Sequence, residues 1–241
     1  MKVAICISGH LRQFAKGYAN LCKNIVSVNP NCYFDFFIET WETQDWRTVK
    51  MFESTENIID KVSLLYSPVS MNVEKDIEWD TSKYMKFVSN ERWLKKGFGG
   101  ARSKGQHILG MYYKIKKCND QKSKYEKENN FTYDVVIRHR TDLGFASPIL
   151  IDEKIDYMDN IVYVPNCDRA AKNGGIPIRD IFAISNSKNI DYYSSVFDNI
   201  DTIVEESKIF RPEPILNFHL NKNKSISVSE LENDWFLIRD S

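Results

Sequence analysis

Short unbroken apolar runs alternate along this chain with longer stretches in which apolar residues recur every three or four positions. Val3 to Ile7 is apolar throughout, the pattern of a strand buried on both faces. The stretch from about Gln13 to Val28 reads as a helix, and Phe34 to Ile38 as a second strand that ends at Glu39, Thr40 and Trp41. Strand, helix and strand in close succession make a βαβ unit, so the two strands are expected to be parallel. A helix is expected over Thr48 to Asp60 and a third strand over Val62 to Tyr66, stopped by Ser67 and Pro68. Residues 70–96, with Trp79, Tyr84 and Trp93, show no clean period and read as an irregular excursion, a candidate lid. Phe98 to Gly105 is glycine-rich and basic, either a phosphate loop or hinge or an ordinary solvated connection.

Gln106 to Asn129 has the period of a long helix, with Ile108, Met111, Tyr112, Ile115 and Cys118 on its buried face. Lys114, Lys116, Lys117, Lys122, Lys124 and Lys127 are expected on its solvated remainder. Val135 to Ile137 is a β-branched run that fits one buried strand. Further strands are expected at Ile161 to Val164 and Ile178 to Ile184, with a turn at Asn173 to Pro177 between them. Helices are expected over Asn186 to Phe197 and Asp201 to Lys208. A last helix opens at Arg211, where Pro212 and Pro214 suit a helix start and Glu213 is favoured by the dipole. Ile226 to Val228 and Trp235 to Ile238 are strand-like. The sum predicts an α/β fold, a single Rossmann-like domain over residues 1–241 with a mixed, mostly parallel central sheet flanked by helices.

Composition narrows the class. The 241 residues are 42% hydrophobic and 13% aromatic, a packed protein rather than a disordered one. Lys+Arg and Asp+Glu are both 33, so no global field draws the chain to nucleic acid or to an anionic membrane. Cys6, Cys22, Cys32, Cys118 and Cys167 contain no CxxC pair, which argues against a disulfide framework or zinc site and fits a reducing compartment. Met1 to Ile7 is too short for a signal sequence, and no apolar run approaches the ~18 residues of a membrane span. A cytoplasmic location is expected.

Two strand ends carry candidate chemistry. Ser8, Gly9, His10, Leu11 and Arg12 lie between the first strand and first helix, where α/β sheets bind ligands. Gly9 permits close approach of a ligand to the backbone, and Arg12 is placed to meet a phosphate. The plainer alternatives are a tight turn and a solvated helix-start residue. Thr40 and Trp41 fall at the same edge, where Trp41 is either a stacking platform for a base or sugar or a core anchor. At the other strand end, Arg138, Arg140 and Asp142 share one face if the chain stays extended. Guanidinium forks match phosphate oxygens, and Asp is a hard oxygen ligand for Mg²⁺ or Mn²⁺. The alternative there is an Asp–Arg ion pair closing a sheet edge.

Taken in order, these pieces resemble nucleotide-sugar glycosyltransferases of the GT-A type. More narrowly, they resemble small enzymes of bacterial surface-polysaccharide clusters and of some phages and large viruses. Val3 to Arg12 is similar to the opening of those enzymes, and Phe34 to Trp41 to their second strand. Tyr133 to Leu143 is similar to the segment that takes the place of their DxD metal motif. Arg179 to Ile184 and Pro212 to Leu216 are similar to their acceptor-side segments. Arg140 stands where that motif has its first carboxylate, and Ser185 where a glycine is expected.

The resemblance implies a nucleotide-sugar-binding part over 1–145 and an acceptor-side part over 146–241. It implies a nucleoside-diphosphate sugar held by Ser8, Gly9, Arg12, Thr40, Arg138, Arg140 and Asp142, with Mn²⁺ or Mg²⁺ on Asp142. Asp180 or Glu213, with His219 behind them, would take the proton of an acceptor hydroxyl. The acceptor would be a glycan or a lipid-linked sugar, and a lipid-linked one would bring the chain to the membrane surface. Two other classes stay open: a sugar-nucleotide or glycan-binding protein without turnover, and a nucleotidyltransferase.

Overall fold

A computed structural model describes residues 1–43, 55–88, 100–151, 160–165 and 178–239. The first half of the chain runs β1 (Lys2–Ser8), α1 (Phe14–Leu21) continuing into a π-helical turn (Cys22–Val26), β2 (Tyr33–Trp41), α2 (Thr55–Tyr66), β3 (Ser70–Glu74), a 3₁₀ turn (Ser82–Phe87) and α3 (Gly100–Glu128). The second half runs β4 (Val135–His139), β5 (Leu143–Phe145), β6 (Ile161–Pro165), β7 (Ala183–Ser185), α4 (Ser187–Ser194), α5 (Val196–Ser207), α6 (Pro212–Lys222), β8 (Ser227–Leu231) and β9 (Trp235–Leu237).

Seven of these strands form one sheet in the order β3-β2-β1-β4-β7-β6-β8. β1 is central because its apolar residues tolerate burial on both faces, and it pairs in parallel with β2 on one side and β4 on the other. β2 pairs in parallel with β3, and β6 with β8. β7 is reversed against both its neighbours, β4 and β6. The protein is therefore an α/β protein with a mixed, mostly parallel seven-stranded sheet flanked by helices.

Strand alternation sends side chains into two cores. Ala4, Cys6, Phe37 and Val136 pack with Ile108, Tyr112, Ile115 and Cys118 of α3, and with α4, α5 and α6 beyond. Val3, Ile5, Ile7, Ile38, Val135 and Ile137 pack on the other face with Leu21, Ile25, Val62 and Tyr66. The same alternation puts Arg138 on the face of Val136 and His139 on the face of Ile137.

The structure corrects several expectations. Val62 to Tyr66 is the end of α2, not a strand, because Ile58, Val62 and Tyr66 recur at helical spacing and pack on the sheet. The third strand is instead Ser70–Glu74, inside the stretch read as irregular. α3 begins at Gly100, so helix replaces most of the glycine-rich basic loop. Lys114 and Lys122 are fully buried rather than solvated, since carboxylates from β2, β3 and α4 meet them. The start of the helix expected from Thr48, Trp93, Cys167 and the Asn173 to Pro177 turn lie outside the described residues. Among the described residues, no helix is long and apolar enough to cross a membrane.

Candidate functional site

The chain lays β2 and β3 to one side of β1 and then crosses to place β4 on the other side. The carboxyl ends of β1 and β4 therefore flank a topological switch point, the position where open α/β sheets take ligands. The turns that follow the two strands are tied together: Thr141 Oγ1 donates to the His10 carbonyl at 2.9 Å. α1 backs directly onto them at Gly17, where a Cβ would lie 1.8 Å from the Thr141 carbonyl oxygen. Gly9 has φ +107°, a conformation L side chains rarely adopt, and its N–H donates to the Glu39 carbonyl at 3.0 Å. A Cβ at Gly9 would meet nothing within 4 Å, so this backbone faces open space.

That space is a cleft of about 790 Å³. Ser8, Gly9, Arg12, Arg138, Arg140 and Asp142 line one end of it, six of the residues expected there from sequence. Arg140 grips Asp142 with two hydrogen bonds, Nε to Oδ1 at 2.9 Å and Nη2 to Oδ2 at 2.7 Å. Arg12 Nη1 is 3.8 Å and Arg239 Nη1 3.9 Å from the same Oδ2. One buried carboxylate thus faces three guanidiniums. Arg138 donates through Nη1 to the Ile181 carbonyl. Its Nε, and Ser8 Oγ, are buried with no hydrogen-bond partner among the described residues. Buried polar atoms are seldom left so.

Other parts of the lining are aromatic and acidic. Trp41 and Trp79 meet edge to face at 6.1 Å, and Tyr113 stacks on Trp41 at 6.0 Å. Lys114 Nζ sits 3.9 Å from the Trp41 ring centre. The ammonium is fixed there by Glu39 at 2.6 Å and Glu74 at 2.7 Å. Glu39 also accepts from Gln121 at 2.7 Å and from Asn72. Burial pushes the Glu39 carboxyl up against the opposing pull of Lys114. Asp76, Glu78, Gln106 and His107 also line the cleft, and sequence reasoning assigned none of them a role.

The remaining expected residues are not part of its lining. Thr40 is buried, its hydroxyl turned toward the Trp41 carbonyl at 3.5 Å, and does not line the cleft. Asp180 and Glu213 do not line it either. Asp180 is buried in the turn before β7; burial pushes its carboxyl up, Glu213 adds to that, and Arg138 and Arg140 oppose it. Glu213 occupies the first turn of α6 and pairs with Arg179 at 3.4 Å. His219 packs inside the helical layer, stacked on Tyr192 at 4.3 Å with Nε2 between the Tyr192 carbonyl and Ser195 Oγ. His139 is buried against Phe145 and Phe182, and burial pulls its pKa down to about 3, so the ring is neutral.

The donor set around Asp142 does not suit a resident divalent ion. Both carboxylate oxygens already accept from Arg140, and the next nearest charged groups are further guanidiniums. Among the described residues, no three His, Cys, Asp or Glu side chains come together as a metal site.

Fold and site together define an α/β protein with an arginine-lined cleft at its switch point. The chain matches no model of a known protein family, and no curated protein matches it at a significant level.

Proposed function

We propose that this protein is a glycosyltransferase of the GT-A type, moving a sugar from a nucleoside-diphosphate sugar to a glycan or lipid-linked acceptor hydroxyl. The observation that carries this reading is the convergence of Arg12, Arg138 and Arg140 beside the open backbone of Gly9, at the carboxyl ends of two parallel strands. In this reading the diphosphate lies beside Gly9 and meets the guanidinium forks of the arginines. The Trp41–Trp79 wall takes the flat or apolar faces of the nucleoside or sugar.

The transition state of glycosyl transfer carries positive charge on the sugar and growing negative charge on the leaving diphosphate. Preorganised guanidiniums stabilise that growing charge, and Asp142 holds Arg140 in position to do so. Metal is not required in this reading. A carboxylate must also take the acceptor hydroxyl's proton. Asp76 and Glu78 line the cleft and are the carboxylates placed for it, whereas Asp180 and Glu213 stand outside its lining.

Thermal denaturation with UDP-, GDP-, dTDP- and CMP-sugars, each with EDTA and with Mn²⁺, tests the reading. One nucleotide class should raise the melting temperature by mass action, equally in both conditions. Folded protein that responds to no sugar nucleotide would refute donor binding, and binding without product on any acceptor would leave a sugar-nucleotide-binding protein.

A further inference from the structure

The strand nearest the end of the chain leads back to Asp142, one of the residues that line this cleft. β9 pairs antiparallel with β5, Leu237 opposite Leu143 and Phe236 opposite Gly144. Gly144 makes the approach possible, since a Cβ there would lie 2.7 Å from ring carbons of Phe236. The pairing continues past β9, where the Ile238 N–H donates to the Asp142 carbonyl at 2.8 Å. This fixes the backbone next to Arg239 against the residue that organises the arginine cluster. Arg239 Nη1 stands 3.9 Å from Asp142 Oδ2, yet its side chain is 61% exposed, against 22% for Arg140 and 21% for Arg12. At that distance it makes an ion pair but no hydrogen bond to Asp142.

We propose that Arg239 is a ligand-binding residue of this cleft, carried to its rim by β9, which pairs with the extra charge of a diphosphate whose terminal phosphoryl group is unesterified. The proposal deepens the glycosyltransferase reading and rests on it. Arg138 is buried and Arg12 and Arg140 are about one-fifth exposed, so they meet the phosphoryl oxygens already charged in a sugar nucleotide, and Arg239 stands outermost of the four. When the sugar carbon–oxygen bond breaks, its electron pair stays on the terminal phosphoryl oxygen, and the diphosphate gains a further negative charge. The acceptor oxygen forms the new bond to the sugar carbon and gives its proton to the base. Arg239 supplies a positive charge for the leaving diphosphate, on an exposed side chain at the solvent side of the cluster.

Calorimetric titration of the whole chain with inorganic pyrophosphate and with its dimethyl diester separates the roles. Arg239→Ala should weaken pyrophosphate binding roughly tenfold while changing the diester by less than about twofold. Arg239→Lys should recover part of the loss, because an ammonium restores the charge without the fork. The melting temperature without ligand should not change. Unchanged pyrophosphate affinity in Arg239→Ala, or equal loss for both probes with a lowered melting temperature, would overturn the proposal and leave Arg239 a tether for β9. Wild-type protein that binds neither probe would overturn the diphosphate reading itself, and this proposal with it.

Discussion

Arg140 and Asp142, two residues apart, face each other through a two-bond fork of 2.9 and 2.7 Å. In an extended strand such residues would project side by side from one face. Here β4 ends at His139, and the Leu143 N–H donates back to the Arg140 carbonyl at 3.3 Å, so the chain turns between them. The turn converts two parallel side chains into a clamped pair. Removing Arg140 takes both of these hydrogen bonds from Asp142 and leaves it the longer ion pairs with Arg12 and Arg239. Arg140→Ala should lower stability by about 2 kcal/mol, as for a hydrogen-bonded charge losing its main partner. It should also weaken diphosphate binding more than Asp142→Asn does. Urea unfolding and titration calorimetry on both variants check the order.

Gly9 and Gly17 should respond differently to alanine. At Gly17 the new methyl collides with the Thr141 carbonyl, so α1 must move off the sheet. The expected cost is about 3 kcal/mol, at the upper end for overpacking. At Gly9 nothing is struck, and only the left-handed backbone is strained, at about 1–2 kcal/mol. Gly9→Ala should therefore stay folded but bind anions less well, since the methyl enters the cleft. Comparing melting temperatures with phosphate titrations distinguishes the two positions.

Lys114 is buried between Glu39 and Glu74. Glu74 is 27% exposed and can turn to water, but Glu39 is enclosed. Lys114→Met should cost roughly 3–5 kcal/mol by leaving a carboxylate buried without its cation. Pairing it with Glu39→Gln should recover part of that loss. A denaturation double-mutant cycle tests the coupling, and a single variant with wild-type stability would show that the network is dispensable.

His139 and Asp180 should give opposite pH responses. The pKa of His139 is about 3 when folded, below the ~6.5 of an unfolded histidine. As pH falls below about 6.5 the unfolded chain takes up the proton first, so stability drops toward pH 3, by at most ~1.4 kcal/mol per pH unit. His139→Phe, set between Phe145 and Phe182, should flatten that slope. The Asp180 carboxyl is pushed up by burial and by Glu213. As pH rises above the ordinary aspartate value, the unfolded chain releases this proton first and the folded state loses ground. The stability of Asp180→Asn relative to the wild type should therefore rise as pH increases above about 4, until the folded-state carboxyl itself ionises.

What sequence reveals here divides along physical lines. β1, β2 and β4 are visible because strands buried on both faces must be apolar without interruption, and the β1–β2 parallel pairing follows from the helix between them. Arg138, Arg140 and Asp142 were placed in one site by strand period, although a turn rather than extension achieves it. The run ending at Tyr66 is apolar enough for either strand or helix, and only its packing partners decide. Lys114 looks solvated until Glu39 and Glu74, distant in the chain, are brought to it by the sheet. Arg239 carries no local signal, since its place depends on β9 finding β5.

The position of β1 also bears on how the chain is made. Val3 to Ile7 pairs on one edge with β2, available once residue 41 has been synthesised. Its other edge has no partner until residues 135–139 exist. At ordinary elongation rates the growing polypeptide carries this open, wholly apolar edge for roughly 5–20 s. Such an edge is a template for pairing with a neighbouring nascent chain. Expression yield should therefore depend on how crowded the ribosomes are and on chaperone supply.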